Sequence, residues 1–192
     1  MKIIESSLSG AYVIELDKRS DKRGFFARSF CVDEFRALGL ETNFVQQNMS
    51  ESNELHTLRG MHYQVGQSAE VKYIRCHYGA ILDVIVDIRI DSPTFMKHEA
   101  FELSEHNYKA LYVPKGFAHG FLTLTEKVVV SYLVSSRYSN ANERAFRWND
   151  DSFDISWPTK LPSLSERDNS HANFDCQTMP LDKDYLDKIC DS

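Results

Sequence analysis

No stretch of 18 apolar residues occurs in the 192-residue sequence, so no segment reads as a transmembrane helix. The opening MKIIESSLSGAYVIEL holds one lysine and a short apolar pair before acidic and polar residues, which leaves no signal-peptide core and points to a cytoplasmic protein. Basic charge is scarce: 22 Lys and Arg stand against 28 Asp and Glu, a formal net charge of −6. The basic stripe that nucleic-acid binders need is therefore missing. A small anionic ligand is still admissible, because a few arginines focused in a cleft outweigh a mildly negative whole. Cys31, Cys76, Cys176 and Cys190 are far apart and form neither CxxC nor Cys/His spacing, which marks them as plain thiols. Walker, GxGxxG and GxSxG motifs are absent, which removes the nucleotide-binding and serine-hydrolase signatures built on them.

What is present is mainly β-type sequence. AYVIEL (11–16), a break at DKRSDKRG and FFARSF (25–30) read as strand, turn, strand. VDEFRALGL predicts one short amphipathic helix with Phe35 and Leu38 on a shared face and Gly39 as its stop. NFVQQNMSES reads as an edge or entry strand. VKYIRCHYGAILDVIVDIR gives two strands around His77-Tyr78-Gly79, with Val84, Val86 and Ile88 on one side of the second. Several more strands follow, separated by Gly, Pro, Asn and Glu-Lys turns. Eight or more short strands without alternating long helices exclude a Rossmann fold and a (β/α)₈ barrel and predict a double-sheet jelly-roll barrel whose interior is the site. The expected organisation is a single domain over 1–192, with a barrel core from about residue 40 to 160, an irregular stretch after Trp157 and a short terminal helix in LDKDYLDKICDS.

Four positions carry candidate chemistry: His62, His119, Tyr138 and Asp168. Each also has a plain structural reading, since histidines and tyrosines in β-rich domains often only satisfy backbone groups. In VPKGFAHGF a Pro-Lys-Gly turn delivers His119 into a strand between Phe117 and Phe121, and in LRGMHYQ a glycine does the same for His62. Two histidines inside an apolar barrel are costly unless they have partners. PKGFAH matches the second cupin motif, P-x-G-x-x-H, but in GMHYQ Gln64 stands where metal-binding cupins have a second histidine. A divalent ion would find two histidines and no evident carboxylate, so no metal is expected. Without metal, a histidine fixed by a carboxylate serves as a general base, and Asp168 in LSERD is the candidate partner.

The chain resembles the dTDP-4-dehydrorhamnose 3,5-epimerase family. The shared landmarks are DKRGFF (21–26), FVQQNMSES (44–52), LRGMHYQ (58–64), KYIRC (72–76), GAILDVIVDIR (79–89), SPTF (92–95), the LS…N…L.VPKGFAHGF run (103–121), RYSNANE (137–143), WND (148–150), ISWP (155–158) and LSERD (164–168), in the family's order over about residues 1–170. The resemblance implies a cupin-type barrel, a double-stranded β-helix. It also implies epimerisation beside the 4-keto group of a nucleotide-diphosphate-linked 6-deoxyhexose, at C3, C5 or both, with no cofactor. In that family's terms His62 is the base, Asp168 its carboxylate, Tyr138 the acid on the opposite face and Lys72 the cation at the carbonyl oxygen. Arg23 and Arg59 would hold the diphosphate, Gln47 and Asn48 the nucleotide, Phe26 the base by stacking, and His119 the sugar pocket. The N-terminal strands cross to a neighbouring subunit in relatives, so a homodimer is implied, with Arg23, Phe26 and Arg28 serving the partner's site.

The chain departs from the family pattern at Arg28, where an acidic residue is usual, near Glu70, and at Asn140 in RYSNANE, where proline is usual. Arg28 reverses hydrogen-bond polarity in the sense that would suit cytosine over thymine, which keeps a CDP-linked 4-keto-3,6-dideoxyhexose 5-epimerase open. The same residues also leave room for a non-catalytic nucleotide-sugar-binding barrel, a cupin metalloenzyme and a 3,4-ketoisomerase.

Overall fold

The computed structural model describes residues 1–179 and 181. Its strands, in chain order, are β1 (Lys2–Glu5), β2 (Tyr12–Glu15), β3 (Arg19–Asp21), β4 (Gly24–Phe26), β5 (Gln46–Ser52), β6 (Leu58–Gln64), β7 (Lys72–Tyr78), β8 (Ala80–Asp87), β9 (His98–Ser104), β10 (Ala110–Val113), β11 (Phe117–Thr123), β12 (Val128–Val134) and β13 (Glu143–Ala145). Two short helices, α1 (Val32–Ala37) and α2 (Glu166–Asn169), lie outside them. The strands form a six-stranded sheet in the order β1-β2-β10-β7-β12-β5 and a five-stranded sheet in the order β13-β6-β11-β8-β9. The β3–β4 hairpin pairs only with itself. This is the double-sheet, cupin-type jelly roll expected from the strand pattern.

Period-2 alternation explains the layering. In β8, Ile81 and Ile85 face the barrel interior, where they meet Phe117 and Phe121 of β11, Ile74 and Cys76 of β7, Leu111 of β10 and Val128 and Val130 of β12. The intervening Val84 and Val86, continued by Ile88, face outward and are covered by Phe146, Phe153, Phe174 and Leu181. Each such buried side chain contributes roughly 1.5–3 kcal/mol relative to exposure. The polypeptide after β13 is thus a lid on the five-stranded sheet, and Leu181 joins it by backbone bonds to Ile88 and Ile90.

The outer face of the six-stranded sheet is covered by α1 and its flanks, with Phe35 fully buried among Tyr73, Tyr112 and Phe30. Here the structure corrects the helix reading. Leu38 does not share that face: it caps α1 and is 50% exposed, because the helix ends one residue earlier and Gly39 turns the chain at φ +70°. The second N-terminal strand is likewise shorter than FFARSF, since pairing stops at Phe26. NFVQQNMSES does supply an edge strand, β5. The terminal helix expected in LDKDYLDKICDS lies outside the described residues apart from Leu181.

Asp87, fully buried at the end of β8, closes the SPTF turn. It accepts from Arg89 Nε (2.8 Å) and Nη2 (2.7 Å), Ser92 Oγ (2.5 Å) and Thr94 Oγ1 (2.6 Å). Among the described residues no helix is long and apolar enough to cross a membrane.

Candidate active site

Strands β6 and β11 bring the two singled-out histidines together, for His62 is the register partner of His119. Beyond that pair the register slips by one residue, so that Phe121 opposes Arg59. Two glycines accommodate the close approach of the strands at the slip. A Cβ on Gly60 would lie 2.6 Å from Gly120 Cα, and one on Gly120 would lie 2.7 Å from Met61 Sδ and 2.9 Å from the Arg59 carbonyl oxygen. Only glycines allow this approach, and Gly60 holds φ +147°, which other residues rarely adopt. Arg59 and His62, three apart, would point to opposite faces of a regular strand. The irregularity between them puts both on one cavity wall.

That cavity, about 560 Å³, opens between the two sheets. Its walls carry Arg59, His62 and Gln64 from β6, Asn48 from β5, Lys72 from β7 and His119 from β11, together with Tyr138, Glu143 and Asp168. At its centre His62 Nε2 lies 2.6 Å from Asp168 Oδ1. Asp168 is buried on α2, where its backbone N–H donates to the N-capping Ser165 Oγ at 3.0 Å. Burial alone would raise the Asp168 carboxyl, but the hydrogen bond and charge of His62, with the Ser165 hydroxyl and His171, together outweigh it and hold the group below its ordinary value. His62 therefore has a fixed orientation. With an ionised carboxylate as acceptor, a neutral His62 carries its ring proton on Nε2 and its lone pair on Nδ1.

His119 also has a carboxylate, one the sequence reading missed. Its Nε2 lies 3.0 and 3.1 Å from the two oxygens of fully buried Asp83 on β8. Lys72 is mostly buried, 3.5 Å from Glu70, and Glu70 also accepts from Gln64 Nε2 at 3.0 Å. Gln64 fills the place of a second cupin histidine by bracing the loops: it donates to the Ser68 and Arg137 carbonyls and accepts from the Ser139 backbone at 2.7 Å. Tyr138 stands at the rim, 55% exposed, with its hydroxyl donating to Glu143 Oε2 at 2.8 Å. Glu143 in turn pairs with Arg167. Burial would raise the Glu143 carboxyl, yet Arg167 and Tyr138 keep it below its usual range.

The remaining predicted residues divide between the cavity and the surface. Asn48 lines the cavity and bonds Gln46 at 2.8 Å, whereas Gln47 does not line it and is exposed. Arg23, Phe26 and Arg28 lie outside the cavity. Arg23 pairs with Asp21 at 2.7 Å, Arg28 with Glu34 at 3.0 Å, and Phe26 is 74% exposed. Sequence reasoning also missed His171, whose Nε2 approaches Asp168 Oδ1 to 3.7 Å. His62, Asp168 and His171 each offer one donor atom, all within 4.8 Å of one another. Local sequence gives no sign of these partners, which are 36 residues away for His119–Asp83 and 106 for His62–Asp168.

Known proteins share this sequence pattern and fold. The model of the family described as dTDP-4-dehydrorhamnose 3,5-epimerase matches residues 5–175. The dTDP-4-dehydrorhamnose 3,5-epimerase of Shigella flexneri is 39% identical over 97% of this chain and 99% of its own length. The crystal structure of the Bacillus anthracis dTDP-4-dehydrorhamnose 3,5-epimerase, with TDP and PPi bound, superposes with a TM-score of 0.87 at 42% identity, over 90% of this chain and 99% of that one. The Legionella pneumophila dTDP-6-deoxy-D-glucose-3,5-epimerase, in complex with dTDP-4-keto-L-rhamnose, gives 0.84 at 33% identity, over 93% and 94%.

Proposed function

Since the chain belongs to the dTDP-4-dehydrorhamnose 3,5-epimerase family and is an epimerase, we propose that it inverts carbon beside the 4-keto group of a dTDP-linked 6-deoxyhexose and that His62, Asp168, Lys72 and Tyr138 perform the chemistry. The observation that carries this assignment is the 2.6 Å His62–Asp168 bond on the wall of a cavity that also presents Lys72 and Tyr138.

The steps follow from proton bookkeeping. His62 Nδ1 takes the proton α to the ketone, and the imidazolium that forms keeps its Nε2–H on Asp168, which stabilises the charge. The electron pair left on carbon moves onto the carbonyl oxygen, and the Lys72 ammonium favours the resulting enolate over the neutral ketone. Tyr138 then gives its hydroxyl proton to the opposite face of the carbon, and Arg167 beside the Tyr138–Glu143 pair stabilises the phenolate that remains. Proton exchange with water resets both groups. No electron leaves the substrate, so the reaction needs no redox partner.

Arg59 on the cavity wall serves the diphosphate. Arg23 and Phe26 sit on the self-paired β3–β4 hairpin, away from their own cavity, which suits a homodimer in which each hairpin completes the neighbour's site. The cytosine reading needs a free Arg28 fork. Glu34 occupies one arm of it, so dTDP is the nucleotide of this proposal. With catalysis and fold both of the family's kind and no membrane-spanning helix among the described residues, a cytoplasmic site of action fits.

Incubation in D₂O with dTDP- and CDP-linked 4-keto-6-deoxy sugars tests the reading. Deuterium should enter C3, C5 or both of the dTDP sugar, and a stronger turnover of the CDP sugar would overturn the nucleotide. Tyr138→Phe should still wash deuterium in through His62 while yielding much less inverted product. Equal loss of both would make Tyr138 a sugar-positioning residue. Mixing His62→Asn and Arg23→Ala chains should restore activity that neither homodimer has, if the hairpins are exchanged.

A further inference from the structure

Beside the catalytic pair lies an imidazole that this mechanism leaves idle. His171 follows α2 in DNSHANF, and its ring stands edge-on to His62, with centroids 6.0 Å apart and planes at 82°. Its Nε2 is buried and has no hydrogen-bond partner, a costly state for a ring nitrogen. The atom it approaches, at 3.7 Å, is Asp168 Oδ1, which His62 Nε2 already contacts at 2.6 Å. Two histidine nitrogens and one carboxylate oxygen thus converge within 4.8 Å, at a wall of the open cavity.

From this convergence we infer that His62, Asp168 and His171 bind a divalent transition metal of the Zn²⁺ class, and that the bound ion reversibly silences the epimerase. Two histidines and a carboxylate with one open position form a donor set that zinc accepts, whereas Mg²⁺ and Ca²⁺ prefer all-oxygen shells. Tetrahedral zinc, with bonds of about 2.0–2.1 Å, places its donors about 3.3 Å apart, between the two separations seen here. Small side-chain shifts bring all three into reach, and the fourth position faces the cavity and takes water. The site takes His62 from the first cupin motif but not His119 of the second, which is held by Asp83.

Silencing follows from the tautomer. A neutral His62 that ligates through Nε2 must carry its one ring proton on Nδ1, the atom that receives the substrate's proton. Metal binding therefore moves that proton across the ring without net release and fills the base's lone pair. Asp168 is drawn to the cation as well and no longer steadies an imidazolium. The binding half of this inference stands on geometry alone, and the silencing half rests on His62 being the base.

Chelator-treated protein titrated with Co²⁺ in the absence of substrate should develop the visible bands of low-coordinate cobalt and saturate at one ion per chain. Zn²⁺ should displace it. In D₂O, Zn²⁺ should suppress deuterium wash-in, excess chelator should restore it, and Mg²⁺ should do neither. His171→Asn should weaken metal binding by at least about tenfold, since even the loss of an outer-shell partner commonly costs ~10–100-fold. The metal-free wash-in rate of this variant should stay close to that of the parent, which also shows that it folds. Absence of cobalt bands, or equal Zn²⁺ sensitivity of parent and His171→Asn, would overturn the site. One Zn²⁺ bound through His171 with wash-in unaffected would keep the site and remove His62 from the base role.

Discussion

The barrel contains two histidine–carboxylate pairs built from different materials. His119 and Asp83 both come from the centre of the five-stranded sheet, on adjacent strands β11 and β8, and Asp83 is sealed completely from solvent. His62 comes from the same sheet, but its carboxylate arrives on a four-residue helix from the lid, and the imidazole keeps 29% of its side-chain surface exposed. The first pair is fixed by the register that makes the barrel. The second exists only after the lid has docked. Under the proposed mechanism, rigidity in one and access in the other separate a pair that shapes the pocket from a pair that handles a proton.

The largest test of that contrast is His62→Asn against His119→Asn. The first should cut deuterium wash-in by ~10²–10⁴-fold with the fold intact, the usual worth of a general base. The second should affect KM more than wash-in, and comparable loss of wash-in in both would erase the distinction. Stability should show the opposite ranking. Asp83→Ala leaves His119 without its partner inside the barrel and should cost roughly 1–3 kcal/mol in urea unfolding. Asp168→Asn keeps a group that can still bond His62, so its unfolding midpoint should move less than that of Asp83→Ala.

Gly120 sits between the two pairs. Gly120→Ala must push Met61 Sδ and the Arg59 carbonyl away and should destabilise by ~1–3 kcal/mol. If wash-in falls while the His119 environment is unchanged by NMR, the displaced strand is the one that carries His62. A third buried carboxylate sharpens the comparison further. Burial would raise Asp87, but Arg89, Ser92 and Thr94 prevail and hold it below the ordinary 3.8. A carboxyl depressed on folding adds stability that is complete above its unfolded value and is lost as pH falls through the folded one. Acid unfolding of the parent should therefore steepen below about pH 4, and Asp87→Asn should flatten that limb.

The barrel was legible because many short strands, separated by Gly, Pro, Asn and Glu-Lys turns, follow one another without alternating long helices. His62 and His119 were legible as histidines that a glycine and a Pro-Lys-Gly turn deliver into strands, whereas Lys72 was named through the family resemblance. Leu38 was misread because three-residue spacing suggests a shared face even where the helix has already ended. Asp168 was nameable as a candidate carboxylate, but LSERD by itself looks like a solvated loop until α2 buries it against β6. Asp83, Glu143 and His171 lay beyond reach because each gains its place in the site through a residue distant in the chain, His119, Arg167 and His62 respectively, and a single sequence does not encode such pairings as a local pattern.

The lid has a consequence for how the molecule is made. During synthesis the strands of the five-stranded sheet leave the ribosome with Val84, Val86 and Ile88 bare on their outer side, and the residues that cover them, up to Leu181, come last. Asp168 travels in the same late segment. A chain whose strands have paired before this segment docks still has a bare apolar face and a His62 without its carboxylate, and docking of the segment covers the one and completes the other.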